Sequence, residues 1–247
     1  MKNHMGLLAL GALVSIGCSL EDVDSDAIRT QGMFADILAI SPGNASTLVR
    51  VQLTVGGDDG TNVTLVGEDQ LEATVGEVSR QLRRSGRGRY EERIDGDAAN
   101  DVTVRLLRGP DDDPATATAR LPEPFSMVLE NDATQGVSRA VSVIVSWSPP
   151  AAGGTVHWSV EGDCIWSESG DTPDDGSLSL EPENLRVRGT QVGEECEVEL
   201  LLERSDTGAV DPILVPGSKF RASQLRGVKF VSTPAPDEAY EVSPDAG

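Results

Sequence analysis

Aromatic residues and histidine are scarce in this chain. Only 4% of its 247 residues are Phe, Trp or Tyr, and it has two histidines. A hydrophobic core must therefore be built mainly from Val, Leu, Ile and Ala. Zinc sites need clusters of Cys and His, which the two histidines cannot supply. The sequence has no G-x-S-x-G elbow and no glycine-rich phosphate loop, so we interpret His157 as an exposed strand residue rather than a catalytic base.

Positive charge is also limited. The chain has 20 Lys and Arg residues against 41 Asp and Glu residues, which gives a formal net charge of −21. Such a surface repels nucleic acid phosphates and anionic head groups. A nucleic acid partner is therefore excluded, whereas cations, basic partners or salty surroundings suit the composition.

Long apolar segments are absent except at the start of the chain. Lys2 precedes an uncharged apolar run from Met5 to Ile16, which is shorter than the roughly 20 residues that a membrane-spanning helix needs. A positive start, a short apolar centre and small residues near a cleavage point are typical of a secretory signal peptide. Cleavage is expected between Gly17 and Cys18, so residues 1–17 form the signal peptide.

This segment resembles a bacterial lipoprotein signal, in which a small residue precedes a cysteine that becomes the lipidated first residue. The resemblance implies lipidation of Cys18; ordinary secretory cleavage is the alternative. Residues 18–27 are acidic and show no clear period, so we interpret them as a tether. With Ser19 next to Cys18, the segment resembles those of lipoproteins that are sorted to the outer membrane. The resemblance implies a location on that membrane, on its periplasmic side or at the cell surface.

The three cysteines support this interpretation, because an odd number is unusual in an exported protein. If Cys18 carries lipid, Cys164 and Cys196 remain as one possible pair. Cys196 has the parity of the core positions of its strand, and Cys164 has the parity of Trp158. The pair predicts an inter-sheet disulfide.

From residue 28 onwards the dominant pattern is a two-residue alternation of apolar and polar side chains, separated by Gly, Asp and Pro turns. This alternation predicts short half-buried strands. Two prolines in 122–124 indicate a stiff linker. We therefore predict an all-β protein with two tandem Ig-like antiparallel β-sandwich domains, at 28–121 and 125–232. Residues 233–247, with prolines and acids, predict a disordered acidic tail.

A wider resemblance covers nearly the whole mature chain. Its features are Arg29, Gly32 and Phe34, the run 96–101, the prolines near Phe125, the pair Cys164 and Cys196, and the run 196–212. Together they resemble a group of uncharacterised bacterial exported lipoproteins. That group has no assigned activity, so the resemblance supports the architecture and not a mechanism.

Acidic loops are candidates for calcium, which prefers six to eight hard oxygen ligands. Asp95, Asp97 and Asp101 could contribute carboxylates, although their spacing is not that of an EF-hand. Two other acidic loops, 111–113 and 171–175, have similar composition. Solvated turns are the alternative, because Asp and Gly are common turn residues.

A basic cluster stands out in this acidic chain. Arg83, Arg84, Arg87 and Arg89, flanked by further arginines, surround a glycine-rich centre that predicts a hairpin tip. Arginine suits bidentate contact with anions, so an anionic glycan, a lipid phosphate or an acidic partner could bind here. Pairing with nearby glutamates is the alternative interpretation.

These observations favour a non-enzymatic cell-envelope lipoprotein that acts as a structural or binding module. Its expected partners are the membrane, through the lipid anchor, and an envelope protein or glycan. No cofactor is expected, except possible calcium. A calcium-dependent adhesin-like or ligand-binding protein is one alternative. A hydrolase built from paired carboxylates is another.

Overall fold

The computed structural model describes residues 22–96, 100–110, 112–189 and 193–236. Nearly all regular structure in these ranges is β-strand, as the sequence alternation predicts. The strands are β1 (Val23–Asp24), β2 (Met33–Ser41), β3 (Ser46–Val55), β4 (Thr61–Thr64), β5 (Gln70–Val75), β6 (Val78–Gln81), β7 (Arg83–Gly86), β8 (Arg89–Asp95), β9 (Asp101–Leu107), β10 (Ala115–Arg120), β11 (Ser126–Leu129), β12 (Val137–Ser138), β13 (Val143–Ser148), β14 (Thr155–Gly162), β15 (Glu168–Pro173), β16 (Ser177–Leu180), β17 (Cys196–Thr207), β18 (Ala209–Val210) and β19 (Lys219–Thr233). Short 3₁₀ turns cover Ser25–Ala27, Thr30–Gly32 and Pro182–Leu185.

The strands form three sheets. The largest has eleven strands in the order β1-β4-β3-β2-β19-β17-β14-β15, with β12 beside β19 and with β8 and β7 extending from β3. A five-stranded sheet has the order β18-β10-β9-β5-β6, and a three-stranded sheet has the order β11-β13-β16. The architecture is therefore the predicted all-β sandwich fold.

Each smaller sheet shares a hydrophobic core with part of the large sheet. In the first sandwich, Val49, Val51 and Leu53 of β3 pack in one cluster with residues of β5, β9 and β10. In the second, Leu200 and Leu202 of β17 pack in another cluster with residues of β13 and β14. The alternating residues of these strands are buried in both cases, so the period-two pattern determines which face forms the core.

Strand β19, which pairs with β17, belongs to both sandwiches. On β19, Phe220 and Ala222 lie in the first core, whereas Val228 and Phe230 pack in the second. The chain between these strands also returns to the first sandwich, where β18 pairs with β10. A side chain at Gly208 would lie 2.3 Å from the carbonyl oxygen of Thr118, so this return requires glycine. The predicted division into 28–121 and 125–232 does not account for this exchange.

Three strand pairs are parallel, which the antiparallel prediction did not include. They are β1 with β4, β12 with β19, and β2 with β19. Each joins segments that are distant in sequence, so no tight hairpin constrains their direction.

The predicted linker 122–124 is held by side chains of β17 and β19. Gln224 donates to the carbonyl oxygen of Pro122 (3.1 Å) and Arg204 donates to that of Glu123 (2.9 Å). Arg226 donates to the carbonyl oxygen of Phe125 (2.7 Å). The guanidinium groups of Arg204 and Arg226 also lie over the Phe125 ring, at 4.8 and 5.2 Å from its centroid. We call Arg204, Gln224 and Arg226 the linker clamp.

A buried ion pair anchors the linker clamp in the second sandwich. Arg204 contacts both carboxylate oxygens of Asp174, at 2.6 and 2.8 Å, and Trp147 Nε1 donates to the same carboxylate at 2.7 Å. Burial by itself raises the pKa of Asp174, but the hydrogen bonds from Arg204 and Trp147 outweigh it and hold the pKa below its ordinary value. The carboxylate therefore stays ionised and fully paired in the protein interior.

We predicted flexible segments at both ends of the chain. The described residues of these two segments instead include residues that pair with the large sheet. Within the predicted tether 18–27, Val23 pairs with Val63 of β4 and Ser25 is buried. At the other end, Thr233 of the predicted tail 233–247 belongs to β19 and pairs with Ser138. Residues 1–21 and 237–247 lie outside the described residues. Backbone pairing with the sheet extends further at both ends than composition indicated.

The predicted disulfide between Cys164 and Cys196 is confirmed, with a Cα–Cα distance of 5.8 Å. Its expected inter-sheet position is wrong. Gly162 of β14 lies opposite Val198 of β17 in one sheet, and the same register places Cys164 opposite Cys196. The bond therefore ties the ends of two neighbouring strands of one sheet.

We expect reduction of this disulfide to destabilise the protein by about 3–4 kcal/mol, because the bond closes a long loop in the unfolded chain. Urea denaturation with and without reductant measures the shift of the midpoint. A variant that carries Cys164→Ala and Cys196→Ala should be insensitive to reductant. An unchanged midpoint in the parent protein would contradict the expected contribution.

We expect Arg204→Met to lower the free energy of unfolding by about 3–5 kcal/mol, because it leaves Asp174 buried without its charge partner. The matched control is Arg186→Met, which removes the ion pair of the exposed Arg186 with Glu168 and should cost at most about 1 kcal/mol. Chemical denaturation of both variants measures the difference. Equal effects would show that burial of the pair does not matter.

Candidate functional site

The hairpin of β7 and β8 carries the predicted basic cluster, and we call it the arginine hairpin. It lies in the large sheet, where β8 pairs with β3 and β7 pairs with β8. β8 pairs with β3 from Ser46↔Asp95 to Gln52↔Arg89. At the tip, Gly88 has a positive φ of 62°, and a Cβ there would lie 2.6 Å from the carbonyl oxygen of Leu53. The tight turn against β3 therefore requires glycine, as the predicted hairpin tip implies.

Tyr90, next to the tip, attaches the hairpin to the core. Its ring is buried, and its hydroxyl accepts a hydrogen bond from the backbone N–H of Leu65 (2.7 Å) and donates to the carbonyl oxygen of Val63 (3.3 Å). Burial raises the pKa of Tyr90 above its ordinary value. The tyrosine is thus a neutral structural bridge that holds β8 beside β4.

Asp22 joins the N-terminal segment to the hairpin tip. Its two carboxylate oxygens contact Arg87 Nε at 2.8 Å and Arg84 Nη2 at 2.7 Å. The hydrogen bond from Arg87 and the charges of both arginines hold the pKa of Asp22 below its ordinary value, against an opposing effect of burial. The carboxylate is therefore ionised at neutral pH and bridges two guanidinium groups.

A second arginine fastens the same segment. The Arg108 side chain is 2% exposed and lies within 3.2 Å of the Asp69 carboxylate and 2.7 Å of that of Asp112. It also donates to the carbonyl oxygens of Ser25 and Ile28, at 2.9 Å each. Residues 22–28 are thus held by the arginine hairpin at one end and by Arg108 at the other.

The four predicted anion-binding residues lie in different surroundings in the structure. Arg84 and Arg87 share Asp22, whereas Arg83 lies 3.4 Å from Glu92 and its side chain is 86% exposed. Arg89 is exposed and lines a separate groove of about 550 Å³ with Arg50, Lys219 and Arg221. The four predicted residues therefore do not converge on one ligand position.

Carboxylates accompany the other cations of that groove. Arg50 lies 3.0 Å from Glu91, and Arg221 lies 3.6 Å from Glu203. Lys219 contacts Asp58 at 2.9 Å and Asp36 at 3.3 Å, and these hydrogen bonds raise its pKa. The groove is consequently close to electrically neutral, and anion binding stays a prediction.

Of the calcium candidates, Asp95 ends β8 and Asp101 begins β9. The Asp101 side chain is 78% exposed and lies 3.9 Å from Arg120. Asp97 lies outside the described residues. Across the described ranges, no three Asp, Glu, His or Cys side chains form a group able to hold a metal ion, so calcium binding stays a prediction.

His157 lies on the outward face of β14, where sequence alternation places it. Its Nδ1 is 2.9 Å from Asp171 Oδ1, and both side chains are largely exposed. Glu123 and Glu203 line the same open groove. The pair is therefore open to bulk water and not enclosed in a cleft.

Burial of the Arg108 and Arg204 side chains was not predicted from the sequence. Arg204 shares the parity of Leu200 and Leu202, which are core residues of β17. An arginine in phase with core positions is a signal that a buried partner exists, although the sequence does not identify Asp174. The Asp22 bridge had no comparable signal, because its partners lie more than sixty residues away.

Comparisons with known proteins do not assign the chain to a family. No family model matches it. No curated protein matches it either. Within the described residues, no helix has the length and apolar character needed to cross a membrane.

Solved structures give distant similarities. Salmonella alpha-2-macroglobulin reacted with methylamine is 13% identical with a TM-score of 0.25, over 84% of this chain and 15% of that chain. A 1.5-MDa bacterial ice-binding adhesin is 10% identical with a TM-score of 0.24, and the match covers 82% of this chain and 65% of the adhesin chain. Native E. coli alpha-2-macroglobulin is 12% identical with a TM-score of 0.24, over 83% and 14%. The chain therefore spans 15%, 65% and 14% of those chains, and values this low carry no argument about function.

We expect Asp22→Asn to increase hydrogen exchange of the Val23 and Asp24 amides, because the segment loses its attachment to the hairpin. Asp24→Asn, on the same strand but exposed, is the matched control. Because the pKa of Asp22 is lowered on folding, the attachment is complete at neutral pH and is lost as pH falls below about 4. Protection factors of parent and variant should therefore converge in acid; a constant difference between pH 7 and pH 3 would refute this assignment.

Proposed function

We propose that this protein is an exported, lipid-anchored module of a bacterial cell envelope, with a structural or binding role rather than an enzymatic one. Support for the anchor comes from the apolar run that ends at Gly17 and Cys18. Firm anchoring by several acyl chains follows from the roughly 0.8 kcal/mol that each buried CH₂ contributes. The resemblance to outer-membrane lipoproteins supports a location on that membrane, on the periplasmic side or at the cell surface.

The observation that carries the structural role is the joining of the two sandwiches by a shared strand and by the linker clamp. Residues of β19 pack in both cores, and the linker clamp binds three successive parts of the connecting segment. Hinge motion between the sandwiches would have to break these buried and part-buried hydrogen bonds, and leaving buried polar groups unpaired is costly. A stiff two-sandwich unit suits a spacer or display element on an anchor.

The chemistry of the buried charged groups supports a non-enzymatic role. The surroundings of a catalytic acid or base usually bring its pKa close to the pH at which the enzyme works. Asp174 has the opposite environment, because its pKa is lowered by structural partners. Arg108 and Arg204 are likewise engaged with backbone carbonyls and carboxylates. These groups stabilise the fold.

We expect Cys18→Ala to release the protein from membranes, because the acyl chains lose their attachment point. Leu20→Ala, two residues further on, should leave the protein in the membrane fraction. Fractionation after a high-salt wash, with intact mass of the extracted chain, measures both. A parent chain whose mass shows no acyl groups, or a Cys18→Ala variant that stays membrane-bound, would contradict the proposal.

A further inference from the structure

The arginine hairpin is a locally positive surface on a strongly acidic protein. Residues 83–95 contain five arginines and three carboxylates, whereas the whole chain has a formal net charge of −21. The side chains of Arg83, Arg84 and Arg87 are 86%, 47% and 51% exposed. Their charge is therefore accessible from solvent.

The ion pairs of the hairpin leave part of this charge uncompensated. Arg84 and Arg87 share the single carboxylate of Asp22 through Nη2 and Nε. Each guanidinium has five N–H donors, so both retain donors that the contact with Asp22 does not use. Arg83, the residue before Arg84 on β7, lies 3.4 Å from Glu92. Successive side chains of a strand point to opposite faces, so Arg83 adds its charge to the other face of the hairpin.

The position of the hairpin along the chain places it close to the proposed anchor. Asp22 is four residues after Cys18, so the Cα atoms of these residues are at most about 14 Å apart. Arg84 and Arg87 contact the Asp22 carboxylate directly. The lipid head-group layer is roughly 5–8 Å thick on each side of the hydrocarbon core, and electrostatic attraction extends about 8 Å further at physiological ionic strength. Fastening of residues 22–28 to the first sandwich therefore keeps the hairpin within reach of the head groups.

We propose that the arginine hairpin binds phosphate groups of anionic lipids in the membrane that holds Cys18, and that this contact orients the protein. The inference rests on the proposed lipid anchor. Arginine is suited to bidentate phosphate contact, and basic residues at an anionic membrane surface are attracted to it. The acidic remainder of the protein is repelled from the same surface. The hairpin side therefore faces the membrane and the rest of the molecule faces away.

Energy transfer on vesicles tests this orientation. The acylated full chain, with Ser85→Cys carrying a donor dye, is reconstituted into phosphatidylcholine vesicles with or without one-third phosphatidylglycerol, each with a head-group acceptor dye. Ser169→Cys, an exposed position on β15, reports on the second sandwich. We expect transfer from position 85 to exceed that from position 169 by about twofold or more on anionic vesicles, and to fall without phosphatidylglycerol.

Paired charge variants distinguish contact by the hairpin from a general charge effect. Arg84→Gln with Arg87→Gln should remove the increase that phosphatidylglycerol causes. Arg186→Gln with Arg188→Gln removes the same charge from exposed positions of the second sandwich and should leave the increase intact. Equal transfer from positions 85 and 169, or an increase that survives loss of Arg84 and Arg87, would overturn the inference.

Co-flotation of each sample with the vesicles separates the two proposals. Protein that floats and carries acyl mass, but shows equal transfer from both positions, retains its anchor and contradicts only the role of the hairpin. Protein that neither floats nor carries acyl groups contradicts the anchor, and the hairpin inference fails with it.

Discussion

The buried contact of Arg204 with Asp174 is the interaction on which the arrangement of the two sandwiches depends. Taking an arginine and a carboxylate out of water is costly unless both are fully hydrogen-bonded. Here the carboxylate is paired from two directions, by Arg204 and by Trp147, and Arg204 also binds the linker carbonyl of Glu123. Satisfying this one guanidinium therefore fixes the path of the linker and the position of a core tryptophan together.

Strand β19 also fixes the position of one sandwich relative to the other, because its residues pack in both cores. β19 runs for fifteen residues, from Lys219 to Thr233, and its inward face changes along its length. Apolar residues contact the first core, Gln224 and Arg226 bind the linker, and apolar residues then contact the second core. At the other end of the first sandwich, Asp22 fastens the N-terminal segment. The chain is thereby held from the fourth residue after the proposed lipidation site, which links the architecture to the proposed anchoring role.

Much of the fold was predictable because the alternation of apolar and polar residues encodes which face of a strand is buried. Strands β3, β14 and β17 show this directly. β19 was missed, because Gln224 and Arg226 interrupt its apolar face. Cysteine parity predicted the disulfide, but its position within one sheet depends on the pairing of β14 with β17, which sequence parity does not determine. Likewise, the arginine cluster was visible in the sequence, whereas its partner Asp22 is brought to it only by folding of the first sandwich.

Two unfolding signals test most directly whether the sandwiches form one cooperative unit: the transitions that they report should coincide. The three tryptophans, Trp147, Trp158 and Trp166, all lie in the second sandwich, so their fluorescence reports on that part alone, whereas far-UV circular dichroism reports on both sandwiches. Shared strands and the linker clamp predict superimposable urea transitions with one midpoint. A circular dichroism curve with a second transition, separate from the fluorescence change, would show that the sandwiches unfold independently and would contradict this account.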